Sequence, residues 1–355
     1  MFRLYKDTVI YVFCPAKTIT GGPEALHQLC DAINLQGGKA KMVYVNYSTE
    51  KIIKSSKPLQ YWMYCSSSSV AIEDDEKNIA VVPEIWPHLL SGYTKIQKAV
   101  WWLSVNYLRD ESILKNRNFH HLYQSVYARE FLLAKGVIAP LALYDYINVP
   151  SKKKLIKKKQ VCYNPKKGFE ITKQIIARLN GSGILFIPLE GLSRKEMAAV
   201  LAESVVYIDF GEHPGKDRIP REAALAGNIV ISSINGSASF YEDLSFPDKY
   251  KFRTDQLDEA ALAIKDGITN YDVLISDFNG YIDLIRNEKK QFFGQAATLF
   301  VGENFSWIAK LGRARYKLFP LQHFIFGAEL LINSLTGNLS SSAKKNIRKL
   351  PFFNK

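Results

Sequence analysis

The sequence predicts an α/β protein of two Rossmann-like domains facing each other across a cleft, followed by a helical C-terminal stretch. Three observations carry this expectation. Short apolar runs alternate with helical patterns through the first 150 residues, which gives a parallel sheet flanked by helices. The same alternation restarts after a Lys-rich break at residues 151–160 (SKKKLIKKKQ). From residue 257 onward the pattern is helical. A chain of 355 residues with 47% hydrophobic content can fill two cores. The expected limits are 1–150 for the first domain, 151–300 for the second, and 301–355 for a last helical part with a basic tail.

In order, residues 8–14 (TVIYVFC) read as a buried strand, and residues 23–36 as a helix opened by Pro23 and closed by Gly37-Gly38. Residues 41–45, 59–64 and 78–83 read as further strands, and 98–105 (KAVWWLSV) as a strongly apolar one. Residues 121–125 follow as a strand, leading into a helix at 127–135. Trp101 and Trp102 are adjacent on a strand, so they face opposite sides and at most one can reach the cleft; core packing suits both.

In the second half, residues 161–163, 184–187, 205–210 and 229–232 read as strands. Helices are expected at 167–179, after Ser193, and at 221–226. Ser193 with Glu196 three residues later has capping-box spacing.

The net charge of +13 implies an anionic partner. Its densest blocks are the six Lys of residues 151–160 and five basic residues at 343–355. Neither block has the interleaved aromatics of a nucleic-acid surface, so no nucleic-acid partner is expected. The four cysteines lack metal-ligand spacing, and Cys14, Cys65 and Cys162 lie in or beside apolar runs, which suits reduced thiols in a cytoplasmic protein. The N-terminal residues do not read as a signal peptide, and no run reaches membrane-spanning length. The stretch 318–335 with its Lys/Arg tail reads either as a peripheral contact with an anionic inner leaflet or as a packed helix.

The chemistry concentrates in residues 209–227 (DFGEHPGKDRIPREAALAG). The segment leaves a strand, crosses a loop with His213, Lys216 and Arg218, and enters a helix that Pro220 can start. Helix N-terminal N–H groups, two full cations and the close approach that Gly211 and Gly215 allow together suit phosphate oxygens.

This order of strand, loop, P-R-E-A-A-L-A-G and strand resembles the nucleotide-sugar site of GT-B glycosyltransferases, particularly the large family 4 type. The resemblance implies that Glu222, at the family's Glu-Ala-Met-Ala-x-Gly position, holds the ribose hydroxyls. Two more matches follow in order: Asn164-Pro165-Lys166-Lys167-Gly168, where Lys167 takes the diphosphate-binding role, and Gly21-Gly22-Pro23-Glu24 near the donor phosphates. The implied donor-binding set is Gly22, Asn164, Lys167, His213, Gly215, Lys216, Arg218 and Glu222. Neither metal nor cofactor is expected, because the nucleotide-sugar is a substrate. The resemblance further implies C-terminal helices that cross back onto the first domain, and a hexosyltransferase-type, metal-independent transferase. Its implied setting is surface-polysaccharide assembly such as capsule or O-antigen, with glycan or lipid-linked acceptors.

Three departures stand out. Pro214 replaces a Glu that the family aims at the donor sugar, Val161-Cys162-Tyr163 lacks the family's Arg, and Trp101 to Asn106 lacks its His. Lys166 or Arg218 is the expected substitute for the Arg. Glu84, ending an expected strand, is the candidate catalytic base or a dipole-complementing first-turn Glu. Retention or inversion stays open. Two alternatives remain: a non-catalytic GT-B-like binding protein, and a transferase using CMP-sugars through His213-Pro214.

Overall fold

The computed structural model describes residues 1–149 and 156–302. The first domain contains β1 (Ile10–Pro15), α1 (Gly21–Leu35), β2 (Ala40–Val45), β3 (Ser67–Ser68), β4 (Ile79–Pro83), β5 (Gln97–Trp102), α2 (Ser112–Lys115), β6 (Phe119–Tyr123), α3 (Val126–Ala134) and β7 (Leu141–Ala142). The second contains β8 (Lys158–Tyr163), α4 (Phe169–Arg178), β9 (Leu185–Pro188), α5 (Arg194–Glu203), β10 (Ser204–Asp209), α6 (Arg218–Leu225), β11 (Ile229–Ser233) and β12 (Lys251–Phe252). Helices α7 (Leu257–Thr269), α8 (Tyr271–Leu274) and α9 (Asn279–Phe300) follow.

The first sheet is ordered β3-β2-β1-β4-β5-β6-β7 and the second β12-β11-β10-β8-β9, with every pairing parallel. Both are α/β sheets of Rossmann type, as the alternating pattern predicted. Strands β1 and β4 are buried along their whole length, which explains why they read as continuous apolar runs rather than as alternating ones. The first sheet has a core on each face. Trp101 packs in one with Leu122 and Phe292, and Trp102 in the other with Phe13 and Leu132. Both tryptophans are therefore core residues on opposite faces.

One expected strand is absent. Residues 59–64 form a 3₁₀ turn, Leu59–Tyr61, after Pro58. Tyr61 and Tyr64 are buried while Leu59, Trp62 and Met63 are exposed, a spacing of three that no strand can satisfy. The third strand of the sheet is instead the two-residue β3.

The crossing between domains is made by α9. Its first half packs Tyr281 and Ile285 into the second core, and its last turns pack Phe292, Ala296, Leu299 and Phe300 onto α1 and Phe2 of the first. The crossing thus begins before residue 301. The expected helical part at 303–355, including 318–335 and the basic tail, lies outside the described residues, as do 150–155 of the Lys-rich break. Among the described residues no helix is long and apolar enough to cross a membrane.

Candidate active site

In each sheet the chain reverses its direction of strand addition at one point, and the loops there diverge to leave a crevice. In the first sheet this point lies between β1 and β4, in the second between β8 and β10. The loop after β8 carries Lys167, and the loop after β10 is the segment singled out from sequence. Their backbones touch. Gly168 caps α4 at φ 58°, and a Cβ there would stand 2.3 Å from Phe210 O, so both its conformation and its neighbour require glycine. Asn164 Oδ1 accepts from Lys166 N at 3.1 Å and shapes the turn.

Asp217 precedes α6 and gathers a lysine and a histidine on one oxygen. Lys167 Nζ lies 2.6 Å from its Oδ2, and His213 Nδ1 lies 2.7 Å from the same atom. His213 is fully buried, with Nε2 3.9 Å from Asp209 Oδ1. Asp209 in turn accepts from Tyr207 Oη at 2.8 Å. Burial opposes a charge on His213, but the bond to Asp217 and the charges of Asp209 and Asp217 outweigh it and raise its pKa. Burial also pushes Asp217 up, and His213 and Lys167 more than reverse that. Asp209, His213 and Asp217 each bring a ligand-type atom within 4.8 Å of the others. However, the two carboxylates approach different ring nitrogens, and Lys167 already sits on Asp217. Lys167 and His213 hydrogen-bond to Asp217, while Asp209 stands 3.9 Å from His213 Nε2, so the set reads as paired charges rather than a cage for a cation.

Arg218 opens α6 and points across the crevice. Its Nη2 lies 3.5 Å from Glu24, Nη1 3.7 Å from Asp145 and Nε 3.8 Å from Glu222. It lies against Gly21 of α1, where a Cβ would stand 2.7 Å from Arg218 Cδ. Glu222, one turn further along α6, stays partly exposed beside Arg218. Burial raises its pKa against the pull of Arg218 and Arg221. Gly22 faces Leu103, and Gly215 lies so close to the same loop that a Cβ would stand 2.2 Å from Leu103 O.

The structure brings Arg218 and Glu222 together beside the first turn of α1, where Gly22 lies, with Lys167 on Asp217, the residue before Arg218. Other expected ligand residues turn elsewhere. Lys216 Nζ pairs with Glu288 of α9 at 2.8 Å, and His213 faces its two aspartates inside the loop. Glu84 does follow β4 at the first switch point, but its side chain is only 4% exposed and accepts from Leu103 N at 3.1 Å. Burial pushes its pKa up to about 7, against backbone hydrogen bonds that pull it down.

Several participants were not legible as such. Arg221 read only as a helix residue, yet it is fully buried, bonded to Asp145 at 2.9 and 3.0 Å and to Glu288 at 2.8 Å. Glu24 and Arg194 meet across the cleft as an ion pair. The available signals were faint: Glu24 stood only as the last residue of the Gly21-Gly22-Pro23-Glu24 match, and Arg194 only as a cation directly after the capping Ser193.

No protein-family model and no curated protein matches the chain. Solved structures do resemble it. S. aureus TarM G117R, in complex with fondaparinux, α-GlcNAc-glycerol and UDP, superposes with a TM-score of 0.52 at 14% identity over 72% of this chain, which spans 61% of that longer protein. The lipopolysaccharide outer core galactosyltransferase WaaB gives 0.57 at 13% identity, covering 82% of this chain and 99% of its own. Anabaena HepE in complex with UDP gives 0.57 at 10% identity, with the same coverages of 82% and 99%. Identities this low establish architecture. The chain has the GT-B fold.

Proposed function

We propose that this GT-B chain is a glycosyltransferase that moves a sugar from a nucleotide diphosphate-sugar to a glycan or lipid-linked acceptor. The observation that carries the reading is the convergence of Lys167, Arg218 and the α6 N-terminus with Glu222 at the second switch point, facing the Gly21-Gly22 turn of the first domain. Similar folds support the ligand class: TarM and HepE were both solved with UDP, and WaaB is a galactosyltransferase.

In the proposed reaction the bond from the anomeric carbon to the phosphate oxygen breaks, with its electrons leaving on the nucleoside diphosphate. The acceptor oxygen bonds the anomeric carbon and gives up its proton. Positive charge grows on the sugar and negative charge on the leaving group. Lys167 and Arg218 offset the second, the part a metal ion would otherwise take, so the proposed transferase is metal-independent; a hexose is the proposed sugar. Glu222 holds the ribose. Glu84 does not face the open cleft, so its part is to hold the Leu103 backbone and shape the loop against Gly215. His213 is enclosed with Nδ1 on Asp217, which favours a nucleoside diphosphate over the CMP-sugar reading. Surface-polysaccharide assembly at the cytoplasmic membrane face is the proposed setting, with the charge of +13 suited to anionic donors and membrane.

Isothermal titration with UDP, GDP and CMP, followed by hydrolysis of the matching sugar nucleotide, tests this. One nucleoside diphosphate should bind, and Lys167→Ala should weaken it about tenfold or more, as expected for a lost charged hydrogen bond. Absence of binding by any nucleoside diphosphate would sink the proposal.

A further inference from the structure

Arg194 opens α5 immediately after its Ser193 cap, and its side chain leaves the second domain to reach the first. Nη2 pairs with Glu24 Oε2, the guanidinium lies 5.9 Å over the Tyr61 ring, and 51% of the side chain stays exposed. Glu24 is the opposite case, with a side chain only 2% exposed. The same Oε2 faces Arg218 Nη2 at 3.5 Å, while Oε1 accepts from Tyr64 Oη at 2.8 Å and Asn148 Nδ2 at 3.4 Å. Burial alone would raise the Glu24 pKa, but Arg218 and Arg194 reverse that and keep it lowered. A carboxylate held charged between two arginines, in the first turn of α1, occupies a place built for an anion.

We infer that Arg194 is a third cation of the diphosphate site, beside Lys167 and Arg218, and that Glu24 is its resting counter-ion, exchanged for the incoming phosphate. The inference rests on reading the cleft as a nucleotide diphosphate site. In the free chain each of the three cations already faces a carboxylate: Lys167 faces Asp217, Arg194 faces Glu24, and Arg218 faces Glu24, Glu222 and Asp145, the last of these held by Arg221. An added diphosphate therefore needs one carboxylate to yield. Asp217 is tied to buried His213, and Glu222 stands on α6 at the proposed ribose position. Glu24 sits between the two arginines that a phosphate would use, so exchange leaves both guanidiniums paired before and after. The Arg194–Glu24 pair also bridges the domains, so entry of the ligand would loosen one cross-domain contact while supplying another.

Titration of the full chain with inorganic pyrophosphate, and with UDP, GDP and uridine, tests this in the wild type, Arg194→Gln and Glu24→Gln at low salt. Arg194→Gln should weaken pyrophosphate about fivefold, the scale of a half-exposed ion pair. Glu24→Gln should tighten it by a similar factor, because it removes the competing charge and keeps an oxygen for Tyr64. Uridine should not respond to either change. Pyrophosphate binding that is unchanged in Arg194→Gln, or no tighter in Glu24→Gln, would overturn the inference; so would an absence of pyrophosphate binding. Should Glu24→Gln fail to fold, the half-exposed Arg194→Gln decides alone. Pyrophosphate binding that depends on both residues without any nucleoside diphosphate binding would support the inference and sink the transferase reading. Nucleotide binding indifferent to both would do the reverse.

Discussion

At the carboxyl ends of the first sheet the side chains that meet the cations of the cleft include Glu24 and Asp145, whereas Lys167, Arg194 and Arg218 all come from the second domain. Both domains are parallel sheets built from the same strand–helix units, so the backbone does not account for this difference. Charge does. The second domain presents cations to a ligand, and the first presents carboxylates and glycines to those cations. The domains attract each other through the groups that a diphosphate would use. The resting interface is also fixed away from that spot. Arg221 joins Asp145, after the first sheet, to Glu288 of the crossing helix α9, and Val105 N donates to Pro214 O at 2.9 Å.

The strongest way to break the comparison is to remove Arg221. Arg221→Ala takes their shared buried partner from Asp145 and Glu288, leaving Asp145 to Arg218 at 3.7 Å and Glu288 to Lys216 at 2.8 Å, and should lower stability by about 3–4 kcal/mol in chemical denaturation. A loss below about 1 kcal/mol would mean that other contacts hold the interface.

Glu84 sharpens the contrast from the first-domain side. Its folded pKa, about 7, stands above the ordinary value of 4.5. Protonated Glu84 is the form that the fold prefers, so its contribution is complete below about pH 4.5 and is lost as pH rises through 7. Glu84→Gln keeps an oxygen for Leu103 N, and should leave stability unchanged near pH 4.5 while raising it by up to about 3 kcal/mol at pH 8. If Glu84 were instead the catalytic base, this substitution would lower turnover by a factor of about 10²–10⁴, and the pH–rate profile would lose its acid limb.

Asp243 is the smallest lever. Its Oδ1 accepts from Val126 N at 2.8 Å and its Oδ2 from Tyr127 N at 3.0 Å, while Ser125 Oγ accepts from Ala128 N. The first turn of α3 is thus capped partly by its own Ser and partly by the other domain. Asp243→Ala should lower stability by about 1 kcal/mol, as a lost cap does, read as a shift of the denaturation midpoint. An unchanged midpoint would show that Ser125 suffices.

Much of this molecule is local, and local features were legible. Continuous apolar runs marked β1, β4, β5 and β10; Ser193 and Glu196 formed the capping box that their spacing announced; and the segment from Asp209 to Gly227 did form a strand, a loop and a helix at a switch point. These follow from periodicity, caps and turn residues within a few positions, so the sequence by itself determined the two α/β domains and the place of the candidate site. What it did not determine is which way each charge points. Lys216 and Lys167 are equivalent as residues in a loop, yet Glu288 draws one away and Asp217 holds the other at the crevice. The partners of Arg194, Arg218 and Arg221 include Glu24, Asp145 and Glu288, each from a distant part of the chain. Coulomb energy depends on distance in space and on burial, and neither is written in sequence spacing once a contact joins separate elements. Only the tertiary structure could decide, therefore, which cations are left to meet a ligand and which are spent holding the domains together.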